Sequence, residues 1–195
     1  MIPSPHTLHF RDRGKHRAVR SRQVNVKDSE TIYRQFVQFE ERAAALYLQM
    51  ASRFSQYPDL SSFWLDMAMQ EKQHAGLLQF CVYEKLFATQ LPDENEIRRL
   101  GTFFESLEQQ ARDPNLTVGQ AFLIAMQLET SEINAIYCHL TANLHRSLYL
   151  LRRKIATDLP HHVDELATAA RKFGVREDAL EQLDRVKENC AAQWR

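Results

Sequence analysis

Met67-Ala68-Met69-Gln70-Glu71-Lys72-Gln73-His74-Ala75 is the stretch that decides how this chain is read. Around it Leu60, Trp64, Met67, Leu78 and Val82 recur at three- and four-residue spacing, or multiples of it, which marks one face of an α-helix. Glu71 and His74 fall in the same row. A core-facing stripe thus carries a carboxylate and an imidazole one turn apart, where apolar side chains belong. Ionised groups are seldom buried alone, because bringing one inward costs on the order of several kcal/mol even after relaxation.

The segment before it behaves alike. Tyr33, Phe36, Glu40, Ala43, Ala44, Tyr47, Met50, Ala51 and Phe54 repeat at helical spacing and predict a first helix capped by Asp28 or Ser29. Gln56-Tyr57-Pro58-Asp59 reads as the turn into the second helix, expected to run to about Thr89 and to stop at Leu91-Pro92-Asp93. Residues 94–116 form a long connection with a short helix over Phe103–Gln110, closed by Asp113-Pro114-Asn115. A third helix follows, with Val118, Phe122, Ala125, Glu129, Glu132, Ile136 and Leu140 on one face. An unbroken helix over 117–158 would be about 60 Å long, so a turn is placed near 143–147. The fourth helix carries Leu148, Leu151, Ile155, Leu159, His162, Leu166, Ala169 and Ala170 and ends at Gly174, with a last helix over 176–191.

Four long amphipathic helices with one long connection predict an all-α four-helix bundle with a crossover between the second and third helices. Residues 28–174 form the bundle, 1–27 a basic arm and 175–195 a short C-terminal helix. The two hairpins echo each other. Residues 67–74 laid over 155–162 bring Glu71 against Leu159 and His74 against His162, as a two-fold bundle with a central site would show.

Bulk properties narrow the function. The chain has 195 residues, enough for one core with an appendage, and its 25 basic residues balance 25 acidic ones. No global field therefore argues for nucleic acid or membrane. The longest apolar run, Ala121–Met126, is far too short to span a bilayer, and the first residues lack the apolar segment of a secretory signal. Cys81, Cys138 and Cys190 are far apart, so neither a disulfide framework nor a cysteine-ligated iron or zinc site is expected. A cytoplasmic location is the expectation. Within residues 1–27, Arg11, Arg13, Lys15, Arg17, Arg20, Arg22 and Lys27 stand against Asp12, seven cations to one acid, a net of +6. The plain reading is a solvated, disordered tail; the functional one is an arm that docks on an acidic partner.

Glu40, Glu71, His74, Glu129 and Glu132 all interrupt apolar rows. Two divalent ions, carrying +4, would offset such buried carboxylates. In di-metal carboxylate bundles, two helices each give one Glu and the other two each give a Glu-x-x-His. Glu40 is of the first kind, and Glu71 with His74 of the second. Oxygen and imidazole ligands suit iron or manganese better than soft metals. The competing reading makes Glu40, Glu71 and His74 a metal-free hydrogen-bonded cluster, Glu129 and Glu132 a polar helix face, and His162 an ordinary core histidine.

Glu40 with Tyr47 seven residues on, the run Gln70–Ala75, and Asp113-Pro114-Asn115-Leu116-Thr117 leading into Ala121–Glu129 resemble rubrerythrin-like proteins of the ferritin superfamily. The resemblance spans roughly residues 30–172. It implies a ferritin-like four-helix bundle in which Glu40, Glu71, His74 and Glu129 ligate metal. It also implies a di-iron centre that reacts with peroxide or dioxygen, or handles iron. Two positions depart from the pattern. Leu159 stands where the second Glu-x-x-His has its glutamate, and Tyr137 follows Glu129 at plus eight rather than plus seven. Glu132 with His162 is the favoured completion; Asp158 with His161 is the other, reached if Pro160 kinks the fourth helix. The full expected set is Glu40, Glu71, His74, Glu129, Glu132 and His162 around two iron or manganese ions. Relatives with peroxidase function carry a cysteine-rich iron module that this chain lacks, so electrons would come from a separate partner. The rival expectation is a non-catalytic, degenerate bundle with one ion or none, an interaction or iron-associated protein docking through its arm. Bundles of this kind pair through helix faces, so a homodimer is expected, with neither membrane nor nucleic acid as partner.

Overall fold

A computed structural model describes residues 26–88, 91–129, 131, 164–177 and 180–181, and among them every regular element is a helix. Helix α1 (Val26–Arg53) and helix α2 (Pro58–Tyr83) form an antiparallel hairpin. Three contacts set its register: Ser61 Oγ donates to the Ala51 carbonyl at 2.9 Å near the turn, Lys72 pairs with Glu41 midway, and the Ala88 N–H donates to Tyr33 Oη at 2.9 Å at the far end. Helix α1 opens at Val26, two residues before the expected cap, so Lys27 belongs to the helix rather than to the arm. The rest of the arm lies outside the described residues.

Proline at the first position of α2 suits a place where its missing N–H would have no helical partner. The helix stops at Tyr83, six residues short of the expected Thr89. Lys85 adopts a left-handed conformation (φ 56°), the Leu86 N–H returns to the Cys81 carbonyl at 2.8 Å, and the Lys85 N–H to Val82 at 3.3 Å. This is a C-terminal cap of the glycine type, built here on a lysine. The expected glycine version occurs at Gly174 (φ 74°), where the Val175 N–H bonds the Ala170 carbonyl at 2.9 Å and the helical segment 164–172 ends.

The connection between hairpins is more regular than expected. Helix α3 spans Glu94–Ala111, 18 residues, instead of the short helix over Phe103–Gln110. It starts on a reciprocal cap: Asp93 accepts from the Asn95 and Glu96 N–H groups, and Glu96 accepts from the Asp93 N–H at 2.7 Å. Its buried row, Leu100, Phe104, Leu107 and Ala111, lies on α1. Phe104 stacks on Phe39 (5.3 Å between ring centres), while Arg42 covers the Phe104 ring at 4.8 Å and pairs with Glu108 at 2.7 Å. Helix α4 is described over Val118–Glu129 and opens on a second reciprocal pair, Thr117 with Gln120.

Segment 164–172 closes the bundle over α2. Gln70 Nε2 donates to Glu165 at 2.7 Å, Lys172 pairs with Asp59 at 2.9 Å, and Phe173 stacks on Phe122 of α4. The interior holds Tyr33, Phe36, Tyr47, Met50, Trp64, Met67, Leu78, Phe104 and Phe122, all fully buried. Burying one such side chain contributes roughly 1.5–3 kcal/mol. The architecture is thus the expected all-α, ferritin-like bundle. Among the described residues no helix is long and apolar enough to cross a membrane. The expected turn at 143–147 and most of the expected C-terminal helix lie outside the described residues.

Candidate metal centre

Glu40 sits midway along α1, two turns before Tyr47, because the buried face of α1 returns to the same side about every seven residues. Glu71 and His74, one turn apart on α2, meet it across the hairpin. All three are buried, and each offers one ligand atom such that these atoms lie within 4.8 Å of one another. His74 Nδ1 is 3.1 Å from Glu71 Oε2 and 3.7 Å from Glu40 Oε2. Glu129, the last described residue of α4, is also buried, and its Oε1 accepts the Tyr47 hydroxyl at 2.6 Å.

Aromatic rings wall the site on one side. Tyr47 stacks on Trp64 (5.8 Å, 11°), and Trp64 packs on Phe122 at 4.8 Å and on Phe63 at 4.9 Å. Both Tyr47 and Trp64 are fully buried, so this wall excludes water and lowers the local dielectric.

Protonation follows from that environment. Burial, then the negative charge of Glu129, push the Glu71 carboxyl well above the usual range, with His74 opposing. Burial alone would lower the affinity of His74 for its proton, but hydrogen bonds to Glu40 and Glu71 outweigh it and hold the imidazole protonated well above its ordinary range. Without metal, the His74–Glu71 contact therefore retains a proton. Tyr47 is driven up by burial and by the charges of Glu129 and Glu71, so its hydroxyl stays protonated and donates.

These residues fit a cation. Among the described residues Glu40 Oε1 is buried with no hydrogen-bond partner, an expensive state for a carboxylate oxygen that a metal ion would relieve. Two carboxylates and an imidazole at this spacing form a hard donor set for iron or manganese. The residues matched by the rubrerythrin family run from 35 to 159. The chain belongs to the rubrerythrin family. That range takes in Glu40, Glu71, His74, Glu129 and Glu132, with His162 three residues beyond it. Neither a search of curated proteins nor a search of solved structures gives a match.

Of the six expected ligands, Glu40, Glu71 and His74 converge, and Glu129 stands near enough to weigh on Glu71. Glu132 and His162 lie outside the described residues, as do the alternative pair Asp158 and His161, Leu159 and Tyr137. In the sequence Tyr47 is a motif position; in the structure its hydroxyl donates to Glu129, a buried carboxylate beside the triad. The seven-residue offset from Glu40 was the available signal, since it places both side chains on one helical face.

Proposed function

We propose that this rubrerythrin-family protein is a redox metalloprotein with two ions, iron by preference and manganese as the alternative. Glu40, Glu71, His74, Glu129, Glu132 and His162 would hold them. The supporting observation is the convergence of Glu40, Glu71 and His74 at a buried point where a Glu40 oxygen lacks a partner among the described residues. The bound metal would supply the electron-transfer and Lewis-acid chemistry by which peroxide or dioxygen is reduced. The chain's own residues do the rest. Tyr47 fixes the Glu129 carboxylate and keeps a proton at Oη beside it. His74 and Glu71 release their proton as metal enters, which makes uptake a proton-exchange step. Trp64 and Phe122 keep water from the interior side. In this reading the protein works in the cytoplasm and takes electrons from a separate donor.

The test is metal content per chain in protein from iron-supplemented cells, with Glu71→Ala as the control. About two ions, lost in the variant, would support the dinuclear reading and justify peroxide and oxygen assays. A second reading, a non-catalytic bundle with one ion, is favoured by Leu159 in the register of a ligand and by a triad sized for a single ion. One ion lost in the variant would select it, and no ion in either protein would defeat the redox reading and leave the metal-free form of that bundle.

A further inference from the structure

Helix α2 and segment 164–172 are tied at two points, Lys172 to Asp59 and Gln70 to Glu165, so the two run antiparallel. Between the ties lies a groove of about 380 Å³. Buried Met67 and Ala169 form its floor, and the half-buried rings of Phe63 and Phe173 line it. Asp59, Asp66, Asp164 and Glu165 stand around it with one cation, Lys172, four acids to one base and a net of −3.

Lys172 shows how a cation sits here. Its Nζ pairs with Asp59 at 2.9 Å and lies over the Phe173 ring, 5.4 Å from the ring centre. Toward the other tie the groove offers the same materials again, the Phe63 ring with Asp66 one turn on and Asp164 beside Glu165. An apolar floor under a carboxylate rim suits a side chain with an apolar stem and a cationic head. A bare metal ion gains nothing from that floor, and a polyanion is repelled by the rim.

The chain supplies such side chains itself. Residues 1–25 hold Arg11, Arg13, Lys15, Arg17, Arg20 and Arg22 against Asp12, six cations to one acid. Because the whole chain is neutral, residues 26–195 carry the opposite excess. Helix α1 starts at Val26, at the hairpin end remote from the groove. In the register set by Lys72 on Glu41 and Ser61 on Ala51, Asp66 stands level with Leu46, about 30 Å along α1 from Val26. The chain from Val26 back to Arg13 spans up to about 43 Å, so Arg11, Arg13 and Lys15 reach the groove while Arg20 and Arg22 fall short. Tethering holds these cations at an effective concentration on the order of millimolar, enough for a weak contact to form.

We propose that the groove between α2 and segment 164–172 is the docking site of the chain's own basic arm, which lays a cationic side chain of residues 11–15 over Phe63 between Asp66 and Asp164. Docking in cis withdraws these cations from external acidic partners until salt screens the contact. The contact is independent of metal content.

Limited trypsin digestion of the full chain tests it, with cleavage after Arg11, Arg13 and Lys15 followed by mass spectrometry and referred to a free peptide of residues 1–25. At low salt these sites in the wild type should be cut on the order of fivefold more slowly than in the peptide, and equally fast at 0.5 M salt. Asp66→Lys combined with Asp164→Lys should abolish the protection. Both positions are exposed, so far-UV circular dichroism should stay unchanged. Glu94→Lys combined with Glu105→Lys on α3 makes the same change in net charge and should leave the protection in place. An arm cut like the free peptide at low salt overturns the proposal. So does equal loss in both double variants, which would mean general attraction without a site. Protection that fades as the chain is diluted overturns it too, because it puts the arm on a second copy.

Discussion

Glu71→Gln is expected to make the metal-free protein more stable than wild type and the metal-loaded protein less so. In the metal-free protein, burial and then the charge of Glu129 disfavour ionised Glu71, whereas the unfolded chain ionises it freely at neutral pH. An acid whose folded pKa lies above its unfolded value weakens folding wherever the unfolded form is ionised. The ceiling at pH 7 follows from the gap to the unfolded glutamate value near 4.3 and is on the order of a few kcal/mol. His74 opposes the shift and loses a charged contact in the variant, so the net gain is put at about 1–2 kcal/mol. In a chain of this length 1 kcal/mol moves Tm by about 2–4 °C, which places the metal-free variant roughly 2–8 °C above wild type. Metal reverses the order. At a hundredfold excess over Kd the wild type gains about 2.7 kcal/mol, while the amide cannot replace the ligand oxygen and the variant gains little. Differential scanning calorimetry with chelator, then with manganese or anaerobic ferrous iron, reads both arms. A metal-free variant melting below wild type, or an equal metal-induced rise in both proteins, would refute the reasoning.

Further outcomes follow from the same centre. Glu71 and His74 both bind protons more tightly folded than unfolded, so the metal-free protein holds excess protons above their unfolded values near 4.3 and 6.5. The His74 contribution is full below about 6.5 and is lost as pH climbs through its raised folded value, while the Glu71 penalty is absent below about 4.3 and grows with pH. Metal-free stability in urea should therefore fall from pH 6 to pH 8, by up to about 1.4 kcal/mol per pH unit for each proton; a rise would contradict the assigned directions. Tyr47→Phe removes a 2.6 Å bond to a buried carboxylate and should cost about 1.5–3 kcal/mol in metal-free urea titrations, with the m-value unchanged. A loss near zero would mean that Glu129 does not depend on Tyr47. Cys81 is buried and burial pushes its thiol up to about 11, so iodoacetamide at pH 8 should spare it in the folded protein and modify it in denaturant. Peptide mass spectrometry showing native alkylation at Cys81 would show that the α2 core opens.

How much of this was legible beforehand depended on whether a signal was local. Lys85 shows the limit at the end of α2. The helix ends where a lysine takes the left-handed conformation that glycine usually supplies, and no residue type announces it. The length of α3 was hidden for the opposite reason. The Asp93-x-x-Glu96 cap was present, but the preceding Leu91-Pro92 suggested a loop that would persist, and Gly101 interrupts the helical run. Glu132 and His162 rest on the sequence alone.

The sequence by itself determined the all-helical class, the buried faces of α1, α2 and α4, and the places where Glu40, Glu71, His74 and Glu129 break those faces. Periodicity is a property of consecutive residues, and a carboxylate in a buried row is conspicuous without any partner in view. Only the tertiary structure decided which groups meet. Helical spacing fixes the direction a side chain takes from its own axis, but not the depth and angle at which a neighbouring helix docks. That docking places His74 between Glu71 and Glu40, and sets the Tyr47 hydroxyl on Glu129, 82 residues away. It also leaves one Glu40 oxygen buried without a hydrogen-bond partner among the described residues, beside Glu71 and His74.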